Sequence, residues 1–208
     1  FDVEFAEEVC KEIGRRCEFR TLQWDGIVGA LLAGRVDAII GSMAVTPERA
    51  RAVRFSEPYY ESGAQLFVRP GTGDEAGDGF AIGVTLGTTY ESVVKEKWPR
   101  AEVRVYKGDV EVLQDLGSGR LDAMVTDRLV GSYIARKFGV ELEKRGELLF
   151  EERMAIPVAP GNEALLADID RAVSRLRASP KYDAMMDRWF GPGAAISPDA
   201  AGPGGSRS

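Results

Sequence analysis

Histidine is absent from all 208 residues. Ser-His-Asp and Cys-His catalysis are therefore excluded, and no imidazole is available to hold a metal. Cysteine is nearly absent too: Cys10 and Cys17 are the only pair. No apolar run approaches the ~20 residues that span a bilayer as a helix. Positive charge is in the minority, with 27 Lys and Arg against 33 Asp and Glu and a net charge of −6. That balance argues against nucleic acid and anionic membranes as partners. An initiator Met is also missing. The chain starts at Phe1-Asp2, which reads as a trimmed N-terminus, so the lack of a signal peptide carries no information about compartment. What remains, 44% hydrophobic and 29% charged residues, is an ordinary globular composition.

One phrase occurs twice. Leu31-Leu32-Ala33-Gly34-Arg35-Val36-Asp37-Ala38-Ile39-Ile40 returns as Leu116-Gly117-Ser118-Gly119-Arg120-Leu121-Asp122-Ala123-Met124-Val125. Each copy reads as a helix end closed by glycine, a turn, and a buried strand of the kind found in parallel sheets. Two copies predict two α/β lobes on one plan, or a chance match of common α/β residues. In open α/β sheets ligands sit beyond the carboxyl ends of the strands. The polar segments that follow the two copies, Gly41–Arg49 and Thr126-Asp127-Arg128, are thus the candidate walls of a cleft.

Periodicity predicts a helix over Val3–Ile13 and a strand over Cys17–Leu22. A helix near Gly26–Ala33 then leads to strand Val36–Ile40. Next come a helix from Pro47, strand Ala64–Val68, and a Gly- and Asp-rich loop, Arg69–Gly79, that crosses between lobes. The second unit is strand Phe80–Thr85, a helix from Thr89, strand Glu102–Tyr106, a helix ending at Ser118, strand Leu121–Thr126 and a helix from Leu129. Strand Met154–Val158 returns, and helices Glu163–Ala178 and Pro180–Trp189 close the fold. Residues 192–208 are expected to be a disordered tail. Cys10 and Cys17 fall at a helix end and a strand start, where either a disulfide or two reduced thiols fit.

Three constellations carry chemistry. Thr46-Pro47-Glu48-Arg49 is a helix start, with Thr as N-cap and Pro at the first position. Its amides and the Arg49 fork suit a carboxylate, with Ser42 as a further donor; the alternative is an exposed turn. Thr85-Leu86-Gly87-Thr88-Thr89 follows a strand, where Gly87 lets backbone approach a ligand and Thr88 or Thr89 caps the next helix. Asp127, at a strand end, is placed to take an ammonium group or to cap its helix. Taken together they describe a site for an α-amino acid: Arg and helix starts for the carboxylate, Asp for the ammonium.

Phe1–Cys10, Trp24-Asp25-Gly26-Ile27, Gly34–Ile40, Thr46–Arg49, Phe55–Tyr60, Gly87-Thr88-Thr89 and Gly119–Ala123 with Asp127 resemble the periplasmic binding proteins for polar amino acids. The lysine/arginine/ornithine, histidine and opine binders are the most similar. The resemblance covers Phe1 to about Gly191. It implies a type II two-lobe α/β fold, with lobe 1 as 1–67 plus 155–191 and lobe 2 as 68–154. It also implies a Cys10–Cys17 disulfide, a signal peptide in the precursor, an extracytoplasmic location, no cofactor, and a monomer that delivers its amino acid to an ABC permease. Arg49, Ser42 and Thr89 would hold the ligand carboxylate and Asp127 the ammonium, with Trp24 as a wall. Gly41 and Ala44 stand where relatives often carry serines, leaving only backbone donors. Thr85 and Tyr90 stand where residues vary with the ligand. Relatives place a strand and hairpin ahead of Phe1, with a second aromatic wall and, in basic-residue binders, an acid. Without them, Cys17–Leu22 and Val36–Ile40 are expected to face a gap and the first lobe to be unstable. An enzyme resembling cyclohexadienyl dehydratase is the alternative on this fold, but no general acid aimed into the cleft stands out. A receptor's ligand-sensing domain is a third reading.

Overall fold

Helix α1 (Asp2–Glu12) turns Phe5, Ala6 and Val9 inward, as its 3.6-residue spacing dictates. In the computed structural model, which describes residues 1–73 and 78–191, this opening helix meets the last two helices. It packs on α7 (Glu163–Arg177), and Glu4 and Glu8 pair with Arg188 and Lys181 of α8 (Pro180–Phe190). The Phe1 ring lies 5.0 Å from Phe190 and 6.1 Å from Tyr59. Both ends of the described chain thus build one lobe and share one apolar core. The expected tail, 192–208, and residues 74–77 of the expected crossing loop lie outside the described residues.

The second lobe is a five-stranded sheet in the order β4-β3-β5-β2-β6. Strands β3 (Ala81–Thr85), β4 (Glu102–Tyr106) and β5 (Ala123–Asp127) run parallel. Strand β2 (Tyr60–Val68) lies antiparallel to β5 and to β6 (Glu143–Met154). The continuous apolar runs of β3 and β5 are buried on both faces. Ile82, Val84 and Val125 meet Tyr90 and Val94 of α4 (Tyr90–Lys97). Ala81 and Met124 meet Leu113 and Leu116 of α5 (Asp109–Gly117) and Ile134 and Ala135 of α6 (Arg128–Phe138). At Gly83 a Cβ would come within 2.5 Å of both Val112 and Leu121, so glycine lets α5 close on the strand.

Strand β2 also makes the crossing between lobes, ahead of the loop expected to do so: Tyr60 packs in the first core and Ala64–Val68 in the second. Strand β6 runs beside it from Glu143↔Val68 to Met154↔Tyr60, and was legible only at its end, Met154.

The first lobe departs from expectation in two places. Cys17–Leu22 has no regular structure and forms no ladder among the described residues. Val36–Ile40 makes one bridge, Ala38↔Val158, and one further bond from Ile39 N–H to the Pro157 carbonyl at 3.1 Å. A strand is defined by a hydrogen-bonded neighbour, and these segments do not reach each other. A groove of about 300 Å³ separates them, floored by Val9, Ile13, Ile156 and Ile169, and Phe19 beside it is 48% exposed. The sheet this lobe does form is two short strands, β1 (Arg54–Phe55) with β7 (Pro157–Val158). Cys10 and Cys17 are joined by a disulfide, with Cα atoms 5.9 Å apart, which ties the Cys17–Leu22 segment to α1.

A polar cleft at the strand ends

A cleft of about 360 Å³ opens where β3, β4 and β5 end, facing the Gly41–Arg49 segment of the first lobe. Every residue expected at a ligand lines it: Trp24, Gly41, Ser42, Ala44, Arg49, Thr85, Thr88, Thr89 and Asp127. Helix α3 (Pro47–Ala52) begins as its sequence prescribes. The Thr46 hydroxyl accepts from the Arg49 amide at 3.2 Å, so that amide is already used by the cap. The Arg49 side chain is half-buried and stands over the Trp24 ring at 5.6 Å. It donates to the Ala44 carbonyl at 2.9 Å and, across the cleft, to the Gly87 carbonyl at 3.2 Å. Trp24 Nε1 donates to the same Gly87 oxygen at 3.2 Å. Gly87 presents that carbonyl from a left-handed turn, φ +74°, which a side chain would strain. Of the five N–H groups a guanidinium carries, the remaining three have no partner fixed by these contacts.

The hydroxyl groups are committed inward. Ser42 donates to Asp2 at 3.0 Å, Thr88 to the Thr85 carbonyl at 2.7 Å, Thr85 to Asp109 at 2.6 Å and Thr89 to Glu152 at 2.6 Å. In this arrangement none of them offers its proton to the cleft. A carboxylate entering here meets Arg49 and the opening amides of α4, which have no helical partner. Ser42 holds a left-handed backbone, φ +54°. Its amide donates to the Tyr59 hydroxyl at 2.9 Å and Tyr59 donates to Asp2 at 2.8 Å, a closed network that fixes this turn. Gly41 is not demanded by crowding, since a Cβ there would lie 3.8 Å from Trp24.

Asp127 takes the second of its two expected roles, capping its helix. Its Oδ1 caps α6, accepting from the Leu129 and Val130 amides at 2.8 and 2.9 Å. Its Oδ2 is buried with no partner, and the residue is 2% exposed. Burial pushes this carboxyl up to about 6, against the nearby Ser62 hydroxyl and the two amides, which favour its charge.

Three acids escaped the sequence reading as cleft groups. Asp2 and Asp109 line the cleft, and burial raises the pKa of each. Glu152, 7% exposed, sits behind Thr89 and Tyr90, accepting from both hydroxyls, and burial raises it as well. Lys107 joins them as a second cation, and Tyr90, expected where residues vary with the ligand, lines the cleft as a buried phenol. The signal for Asp109 was available. It follows β4 as Asp127 follows β5, and strand ends are where ligands sit.

A family model for bacterial extracellular solute-binding proteins, family 3, matches residues 1–192. The chain belongs to that family. The L-cystine-binding protein TcyJ of Escherichia coli (strain K12) is 32% identical over 197 residues, covering 92% of this chain and 74% of that protein. Among solved structures, an ancestral arginine-binding protein bound to arginine superposes with a TM-score of 0.81 at 33% identity, covering 91% of this chain and 87% of the other. The ancestral amino-acid-binding protein AncCDT-1, a precursor of cyclohexadienyl dehydratase, gives 0.82 at 31% identity over 91% of this chain and 84% of its own. This family-3 protein thus shares its fold with solved amino-acid-binding proteins and belongs to a family described as extracellular.

Proposed function

We propose that this chain is the substrate-binding component of an amino-acid ABC importer, working in the periplasm or otherwise outside the cytoplasm. A polar L-amino acid or opine, with basic ligands and cystine as leading candidates, binds between its lobes. One observation carries the reading: Arg49 and Asp127 line one cleft, on opposite lobes. Those are the two charges that a free amino acid's carboxylate and ammonium require. Arg49 clamps the carboxylate, Asp127 receives the ammonium, and Trp24 covers the ligand. Ligand held by both lobes favours the closed form, which the permease recognises. The family membership and the named binding relatives support this reading over an enzyme.

The test is a thermal-shift screen of the amino acids, cystine and opines, followed by calorimetry on the hits. A ligand at 100 times its Kd stabilises by about 2.7 kcal/mol. Arg49→Ala should lose about 2–5 kcal/mol of binding energy, because the carboxylate loses its partner in a partly desolvated site, while its melting remains cooperative. Near-native affinity in that variant overturns the assignment. Prephenate and arogenate should not be turned over; turnover would return the enzyme reading.

A further inference from the structure

We propose, resting on the amino-acid reading above, that Asp109 receives a cationic group on the ligand's side chain and makes the cleft selective for amino acids of net positive charge. Asp109 opens α5 where β4 ends, on the same rim of the sheet as Gly87 and Asp127. Its carboxylate does not cap its own helix: the N-cap is Gly108, and no side chain bonds there. Instead Oδ1 accepts from the Thr85 hydroxyl at 2.6 Å and Oδ2 from the Thr126 hydroxyl at 3.0 Å. Both donors are neutral, and both line the cleft. A carboxylate has about four acceptor sites, so half remain open. Among the described residues no Lys or Arg nitrogen pairs with Asp109, and the one charge acting on it is another carboxylate, Glu111. Buried ions are ordinarily paired, and two threonine hydroxyls would be served as well by a neutral amide of the same shape. The charge itself is therefore the feature that asks for a partner.

Counting charges across the cleft gives the same answer. Asp2, Asp109 and Asp127 line it against Arg49 and Lys107, with Glu152 behind the wall. A zwitterion brings no net charge: its carboxylate answers Arg49 and its ammonium answers Asp127. Asp2, Asp109 and Glu152 then face Lys107 alone, a surplus of negative charge that a side-chain guanidinium or ammonium offsets.

L-arginine and L-citrulline decide the matter, because they share a shape and differ in the guanidinium charge. Calorimetry on the full chain should show arginine binding at least about thirtyfold tighter than citrulline, the scale of a partly buried charge pair. In Asp109→Asn the preference should fall to within about threefold. If that variant does not melt cooperatively, Thr85→Val removes one of the two hydroxyls that orient the carboxylate and should cut the preference severalfold. Equal binding of the two ligands by the unmodified protein, or an undiminished preference in both variants, overturns the inference and leaves the amino-acid reading standing. Failure to bind any amino acid overturns both.

Discussion

Asp127 does two jobs with one carboxylate, and its protonation sets the conditions for each. Its ordinary pKa lies near 3.8 and its folded value is about 6. The folded chain therefore holds this proton more tightly than the unfolded chain. The resulting contribution to stability is full below pH 4 and is lost as pH rises through 6, about 3 kcal/mol in all. Ligand binding runs the other way, because an ammonium needs the charged carboxylate. Affinity for an amino acid should be flat above pH 7 and fall by roughly tenfold per unit below pH 6, with proton release on binding. Calorimetry at pH 5 and 7, in buffers of different ionisation enthalpy, checks this. Asp127→Asn should bind weakly at both values and show no such slope. Tight binding of N-acetylated amino acids would show that the ammonium is not what Asp127 holds. Arg49 illustrates a different lesson: its fork was legible from Thr46-Pro47-Glu48-Arg49, but its present partners, two main-chain carbonyls, were not.

At the scale of elements, the second lobe was readable because each strand carries its own signal. Ala81–Thr85 and Ala123–Asp127 are apolar runs covered by helices on both faces, which is what continuous hydrophobicity means in a parallel sheet. Strand β6 hides by the converse physics. Its first ten residues are mostly charged, and it sits at the sheet edge with its outer side in water, where polar residues cost nothing. Cys17–Leu22 misled for a third reason: local pattern reports a willingness to pair, while pairing needs a neighbour. Asp2 and Glu152 were invisible because one sequence does not separate a solvated acid from one folded inward. These differences predict uneven protection. Amides of residues 17–22 have no backbone acceptor in this structure and should exchange within seconds to minutes. Those of β3 and β5 should exchange only with global opening. Hydrogen exchange resolved by mass spectrometry reads both, and strong protection over 17–22 would show that this segment acquires a partner in solution.

For the molecule as a whole, Gly87 is where the lobes meet. Trp24 and Arg49 of the first lobe both donate to its carbonyl, so opening the cleft breaks both bonds together and moves the indole into water. Ligand addition should therefore change Trp24 fluorescence, and Trp24→Ala should weaken binding by about 1–3 kcal/mol through lost burial and stacking. Trp98 and Trp189 lie away from the cleft lining, so a ligand-dependent signal that survives Trp24→Phe would refute this placement. The architecture also imposes an order of events. Helix α1 finds its cover in α7 and α8, while β3, β4 and β5 find theirs in helices interleaved with them. A chain made from its first residue onward completes the second lobe while Phe1 and Phe5 still wait for Tyr182 and Phe190. For most of its synthesis the growing polypeptide carries an uncovered aromatic face, until α7 and α8 are made and shield it. Any factor that guards the nascent chain has that interval in which to act.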